Sequence, residues 1–157
     1  MANYATKEYN TENMARAILI SAQISTKQSV EVCNALRGKN LEDAKKFLED
    51  VKKKEEEVPF KRYNMNIAHK KAGPGRYPVK VSKNIIDLLN QVTANAQFKG
   101  MNTSNLMICH ICANKGSRPW KFGRQRRRKT KRTHIEIIVR EASPKNSKEK
   151  KNDKKKK

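Results

Sequence analysis

The chain has 157 residues, with 37 Lys and Arg against 15 Asp and Glu, for a formal net charge of +22. That length suits one domain with a tail, and a hydrophobic fraction of 36% at a mean hydropathy of −0.95 permits only a small core. Charge of this kind points to a polyanion, nucleic acid above all; no apolar run could span a bilayer, no basic amphipathic helix carries the charge to a membrane surface, and no secretion signal opens the chain. Three cysteines without such a signal argue against a disulfide framework, so the chain is expected to be intracellular and reduced.

Residues 1–14 are polar and without period, an N-terminal arm. From Arg16, the alternation Ile18, Ile20, Ala22, Ile24 predicts a strand half-buried through those residues. Ser25-Thr26-Lys27-Gln28 has the form of a capping box, opening a helix to Leu36 with Gly38 as its left-handed exit. Asn40 is placed to cap a second helix, with Leu41, Ala44, Leu48 and Val51 on one face, and that helix must stop before Pro59. Residues 60–81 hold Gly73-Pro74-Gly75 and Pro78, which predict an extended loop with no regular element. A third helix begins near Ser82, turns Ile85, Leu88, Leu89, Val92 and Ala96 inward, and ends at Gly100. Leu106–Ala113 and His134–Val139 are strand-like, and the segment between them has almost no aliphatic side chains. A connection of that length is functional or disordered, and it predicts the far part of a long hairpin reaching beyond the globule. Residues 143–157 are Lys-rich, low in complexity and expected to be disordered alone.

The charge is not spread evenly. Residues 60–81 carry +6, 115–134 carry +10 and 144–157 carry +6, so all of the net +22 lies in three segments. A chain made basic for solubility alone would distribute it.

Cys109-His110-Ile111-Cys112 invites a zinc reading, but a strand turns residues three apart to opposite faces, and a second ligand pair is missing. No metal and no cofactor is expected. Catalysis finds no support either: the acids lie on helix surfaces or in the tail, and His69, His110 and His134 have no carboxylate partner by spacing. Arg118-Pro119-Trp120-Lys121-Phe122-Gly123-Arg124, followed by Arg126, Arg127, Arg128 and Lys129, is different in kind. Guanidinium groups bind phosphates bidentately and stack on bases, while Trp120 and Phe122 offer stacking planes with no apolar neighbour to pack on. Lys115, Lys131 and Arg132 extend this run. Residues 61–80 repeat the theme with Lys61, Arg62, Tyr63, Asn64, His69, Lys70, Lys71, Arg76, Tyr77 and Lys80; Tyr63 has a competing place in the core.

Val58-Pro59-Phe60-Lys61-Arg62-Tyr63-Asn64 and Gly73-Pro74-Gly75-Arg76-Tyr77-Pro78-Val79-Lys80 closely resemble the archaeal and eukaryotic branch of the universal large-subunit ribosomal protein twenty-two family. Arg118-Pro119, Gly123-Arg124 and Lys131-Arg132-Thr133-His134-Ile135 look like that family's hairpin tip and returning strand, and the resemblance covers roughly residues 15–142. It implies an α+β fold: three helices on a three-stranded antiparallel sheet, one RNA-binding domain with a hairpin over about 103–142 and a tip at about 115–130. It places Lys61, Arg62, Tyr63 and Arg76 on rRNA, and Arg118, Pro119, Gly123 and Arg124 at the hairpin's far end. It also implies a structural, non-enzymatic role in the large ribosomal subunit, with the hairpin lining the nascent-peptide exit tunnel. The implied partners are large-subunit rRNA, neighbouring subunit proteins and the nascent polypeptide, with no membrane and no homo-oligomer. The implied place is the cytoplasm, after nucleolar passage in a eukaryote. The segment Asn64–Gly73 and the arm Asn114–Arg118 are shorter than the family's pattern, and Trp120-Lys121 stands where Arg-Ala is common. The competing class is an architectural DNA- or chromatin-binding protein with a basic tail.

Overall fold

The computed structural model describes residues 4–6, 9–71 and 73–141; the Lys-rich tail lies outside them. Strand β1 (Met14–Ala22) is followed by helices α1 (Thr26–Leu36) and α2 (Leu41–Lys53), the short strands β2 (Val58–Pro59), β3 (His69–Lys70) and β4 (Gly73–Arg76), helix α3 (Val79–Phe98), and the long strands β5 (Leu106–Lys115) and β6 (Thr133–Glu141). The main sheet is antiparallel in the order β1-β6-β5, with the three helices on one face. This is the expected α+β architecture, and none of its described helices is long and apolar enough to cross a membrane.

The helices form where the apolar spacing places them. α2 buries Leu41, Ala44, Phe47, Leu48 and Val51 on one stripe, and α3 buries Ile85, Leu88, Leu89, Val92 and Ala96. These meet Ile135, Ile137 and Val139 of β6 and Leu106, Ile108 and Ile111 of β5 in one core. Gly38, at φ +78, carries the chain out of α1, donates its N–H to the Ile108 carbonyl and so covers part of the β5 edge.

Several expectations need correction. The strand at β1 has the opposite phase: Ala15 and Ala17 face the core, while Ile20 is 60% exposed. Small alanines let α3 approach β1 closely, and a bulge between Leu19 and Ala22, with Ser21 at φ 54, resets the alternation before Ala22 is buried. Neither Ser25 nor Asn40 makes a side-chain cap; Thr26 instead bonds the Thr133 hydroxyl, and Asn40 bridges to Met107. α3 starts at Val79, earlier than Ser82. Residues 60–81 are not wholly irregular, because β2, β3 and β4 form a second small sheet in the order β2-β4-β3. Pro74 fits there because it needs to supply only an acceptor: its carbonyl takes the Phe60 N–H at 2.8 Å.

The outer face of the main sheet carries a buried carboxylate in contact with a partly exposed histidine. His110 Nε2 lies 3.1 Å from Glu136 Oε1, and Glu136 is 2% exposed. Sequence spacing does not reveal this carboxylate partner because the two residues meet diagonally across strands: His110 pairs with Ile138 and Glu136 with Cys112, two rungs apart on the β5–β6 ladder. The N-terminal arm closes over the pair: Ala5 donates its N–H to Glu136 Oε2 at 3.0 Å, and the rings of Tyr4 and Tyr9 lie against the Arg16 guanidinium. The arm is therefore a structural cover for this face.

Candidate nucleic-acid interface

The β5–β6 hairpin continues past the sheet. Gly116 donates to the Arg132 carbonyl at its root, and a Cβ at Gly116 would lie 2.9 Å from His134 Nε2 and 3.1 Å from Arg132 Cβ, so a side chain there would push the His134 ring aside. The root is tied to the β1 bulge from both sides: Arg132 Nη1 donates to the Ser21 carbonyl at 3.0 Å, and the Ser21 N–H donates to His134 Nδ1 at 3.2 Å. Beyond the root the arms pair again. Thr130 N–H meets the Pro119 carbonyl at 2.9 Å, Lys121 N–H meets the Arg128 carbonyl at 2.8 Å, and Trp120 bridges to Lys129. Gly123, at φ +65, turns the tip.

Every residue from 117 to 129 is exposed. Phe122 is 95% and Trp120 61% exposed, so neither folds back onto the core; the Lys129 ammonium sits 4.4 Å from the Trp120 ring. Arg124, Arg126, Arg127 and Arg128 surround a concavity of about 610 Å³ at the tip. Some tip cations also donate hydrogen bonds within the protein: Arg118 Nε to the Thr130 carbonyl at 3.1 Å, Lys121 Nζ to Gln125 at 3.0 Å, and Arg126 Nε to the Gly123 carbonyl at 3.5 Å. Arg118 thus braces the hairpin neck.

A larger cleft, of about 970 Å³, opens between the exposed side of α1, the basic loop and the hairpin root. It brings together Arg62, Tyr63, Asn64 and Arg76 from the loop with Lys115, Arg118, Lys131 and Arg132 from the hairpin. Among the described residues no carboxylate lines it. These groups come from two segments far apart in sequence. The cleft also recruits Lys27 and Arg37, which sequence reasoning missed because both sit in the charge-balanced part of the chain. Lys27 sits in the first turn of α1 and Arg37 at its C-terminal cap. Arg37 Nη2 bonds the Ile111 carbonyl, fixing the guanidinium at the cleft wall. Tyr63 is half-buried beneath Lys27 and Arg62, whose charges lie 5.8 and 5.4 Å from its ring, so it belongs to the cleft more than to the core.

The remaining candidates lie outside the cleft. His69 and Lys70 occupy β3, Lys71 follows it, Tyr77 packs under Lys70 and Lys80 sits in the first turn of α3. Lys61 points to solvent at the loop's start.

The cysteines show no metal geometry. A bulge between Ile108 and His110 breaks the alternation in β5, so Ile108 and Ile111, three apart, both face the core. The opposite-face argument for Cys109 and Cys112 therefore fails as stated. Their surroundings still differ, Arg140 beside Cys109 and Glu136 with Arg37 near Cys112, and burial pushes both thiols upward. Cys33 lies in the core and burial pushes it up to about 12. Among the described residues no group of three or more His, Cys, Asp or Glu could hold a metal ion.

The family model described as ribosomal protein L22p/L17e matches residues 17–140. The chain belongs to that family. It is 44% identical over 136 residues to the large ribosomal subunit protein uL22 of Thermoplasma volcanium, covering 83% of this chain and 92% of the relative. The uL22 proteins of Methanosphaera stadtmanae (43% over 148 residues; 88% and 96% covered) and Thermofilum pendens (40% over 141; 85% and 93%) are similar to the same extent. The match runs from β1 through the hairpin to the end of β6, so cleft and tip both lie within the L22p/L17e part of the chain. These relatives are named as proteins of the large ribosomal subunit.

Proposed function

We propose that this L22p/L17e protein is a structural constituent of the large ribosomal subunit that binds rRNA through its cleft and hairpin, the hairpin contributing to the wall of the nascent-peptide exit tunnel. The observation that carries the reading is the convergence of loop and hairpin cations on one cleft that no carboxylate lines among the described residues, continued into an exposed tip with two aromatic planes. A concave surface of this sign takes a folded phosphate backbone, each neutralised phosphate releasing counterions. Recognition is then of RNA shape, with Trp120 and Phe122 stacking on unpaired bases or packing against them. The domain keeps its balanced charges outside, hydrated, while the tip reaches between helices that supply the anions it lacks. The supporting argument for the tunnel is the family resemblance together with the projection of the tip; the core needs none of the tip residues.

The test is sedimentation of the full chain with large subunits through a high-salt cushion, alongside binding to rRNA and to duplex DNA of equal length. Retention at high salt and preference for rRNA are expected. Release at high salt with equal affinity for both polymers would instead identify a general polyanion binder of the architectural class.

A further inference from the structure

Glu31 lies in the middle of α1 and is 1% exposed. A carboxylate taken out of water is unfavourable unless hydrogen bonds replace its hydration. Here three do. Oε2 accepts the backbone N–H of Lys61 at 3.0 Å, and Oε1 accepts those of Arg62 at 3.0 Å and Tyr63 at 2.6 Å. Three successive N–H groups directed at one anion curl the backbone into a concave nest. Asn64, next in the chain, takes φ 53 and turns the loop away. The side chains of Lys61 and Arg62 are left exposed on the other side of this curl, and Arg62, Tyr63 and Asn64 line the cleft.

We propose that Glu31 is a positioning residue for RNA binding: its carboxylate holds the Lys61–Tyr63 backbone so that Lys61, Arg62 and Tyr63 are presented to phosphate together. The proposal rests on the rRNA reading above. The loop cations repel one another, and the Glu31 carboxylate anchors their backbone at the loop's start. A negative charge buried behind the backbone steadies them without competing for the face that phosphate approaches. Glu31 thereby adds affinity through residues it aims, touching no RNA itself.

The experiment uses the full chain and large-subunit rRNA. Glu31→Gln preserves the side chain's size but sets an amide with two donors of its own against three N–H donors. Glu31→Asp keeps the charge and withdraws it by one methylene. Amide hydrogen exchange at Lys61, Arg62 and Tyr63 should speed at least about tenfold in Glu31→Gln, with the α3 core amides unchanged. Affinity for rRNA should fall about tenfold, and the slope of log K against log salt should drop by about 1 to 2 as Lys61 and Arg62 lose their phosphates. Glu31→Asp should fall between, and it carries the same test if Glu31→Gln does not fold. In a Lys61→Ala, Arg62→Ala background, Glu31→Gln should cost nothing further. An unchanged affinity and slope in Glu31→Gln, or an undiminished loss in that background, overturns the proposal. A wild-type chain that does not bind rRNA overturns the reading beneath it, a result distinct from wild-type binding that Glu31→Gln leaves intact.

Discussion

Replacing residues 117–131 with Asn-Gly should separate the hairpin's role in RNA binding from any role in folding. The graft joins Gly116 to Arg132, already paired at the root, through a two-residue turn whose twist suits adjoining antiparallel strands. No core side chain lies between Ala113 and Thr133, so no apolar burial is lost. Removal of exposed residues alone is expected to change stability by no more than about 0.5 kcal/mol. Shortening the connection from fifteen residues to two works in the stabilising direction, by at most about 2 kcal/mol of closure entropy. The melting temperature should therefore hold or rise. The deleted segment carries eight cations, Arg118, Lys121, Arg124, Arg126, Arg127, Arg128, Lys129 and Lys131. If half of them meet phosphates, at about 0.7–0.9 per contact, the slope of log K against log salt falls by about 3. Urea melts and filter binding across a potassium chloride series measure the two quantities. A destabilisation beyond about 1 kcal/mol, or an unchanged salt slope, would refute the division of labour between domain and tip.

Two further outcomes follow from buried groups. Glu136→Gln replaces a buried carboxylate that serves both His110 and the Ala5 N–H, and should cost about 1–3 kcal/mol in urea melts while loosening the arm against proteolysis; a wild-type melt would show that the pair contributes nothing. Burial raises the Cys33 thiol from 9.0 to about 12, so the folded form keeps it neutral after the unfolded chain has begun to ionise. That contribution is fully present below pH 9 and is lost as pH rises toward 12. The wild type should accordingly lose more stability than Cys33→Ala between pH 9 and pH 11, and parallel losses in the two chains would contradict the burial argument.

The parts of the molecule that follow from local pattern could be read from the residues. The apolar stripes of α2 and α3 set their inward faces, and the aliphatic gap between Ala113 and Thr133 located the projecting hairpin and its cations. What escaped was set by partners distant in the chain. The phase of β1 depends on α3 pressing against Ala15 and Ala17, and on a bulge at Ser21 that no alternation rule foresees. The second sheet exists because Phe60 N–H finds the Pro74 carbonyl, a pairing between a strand and a segment that reads as a breaker. Glu31 looks like any acid on a helix until the loop some thirty residues later turns three N–H groups onto it. Lys27 and Arg37 are unremarked in a neutral stretch and become cleft residues only through tertiary placement.

The measurement that bears most directly on the account is a density map of the large subunit carrying this chain. The account predicts the helices and sheet at the subunit's outside, the cleft between α1 and the hairpin root filled by an rRNA backbone, and residues 115–130 enclosed by rRNA with the tip at the tunnel wall. A hairpin lying against its own sheet, or a cleft facing solvent with rRNA elsewhere, would contradict it.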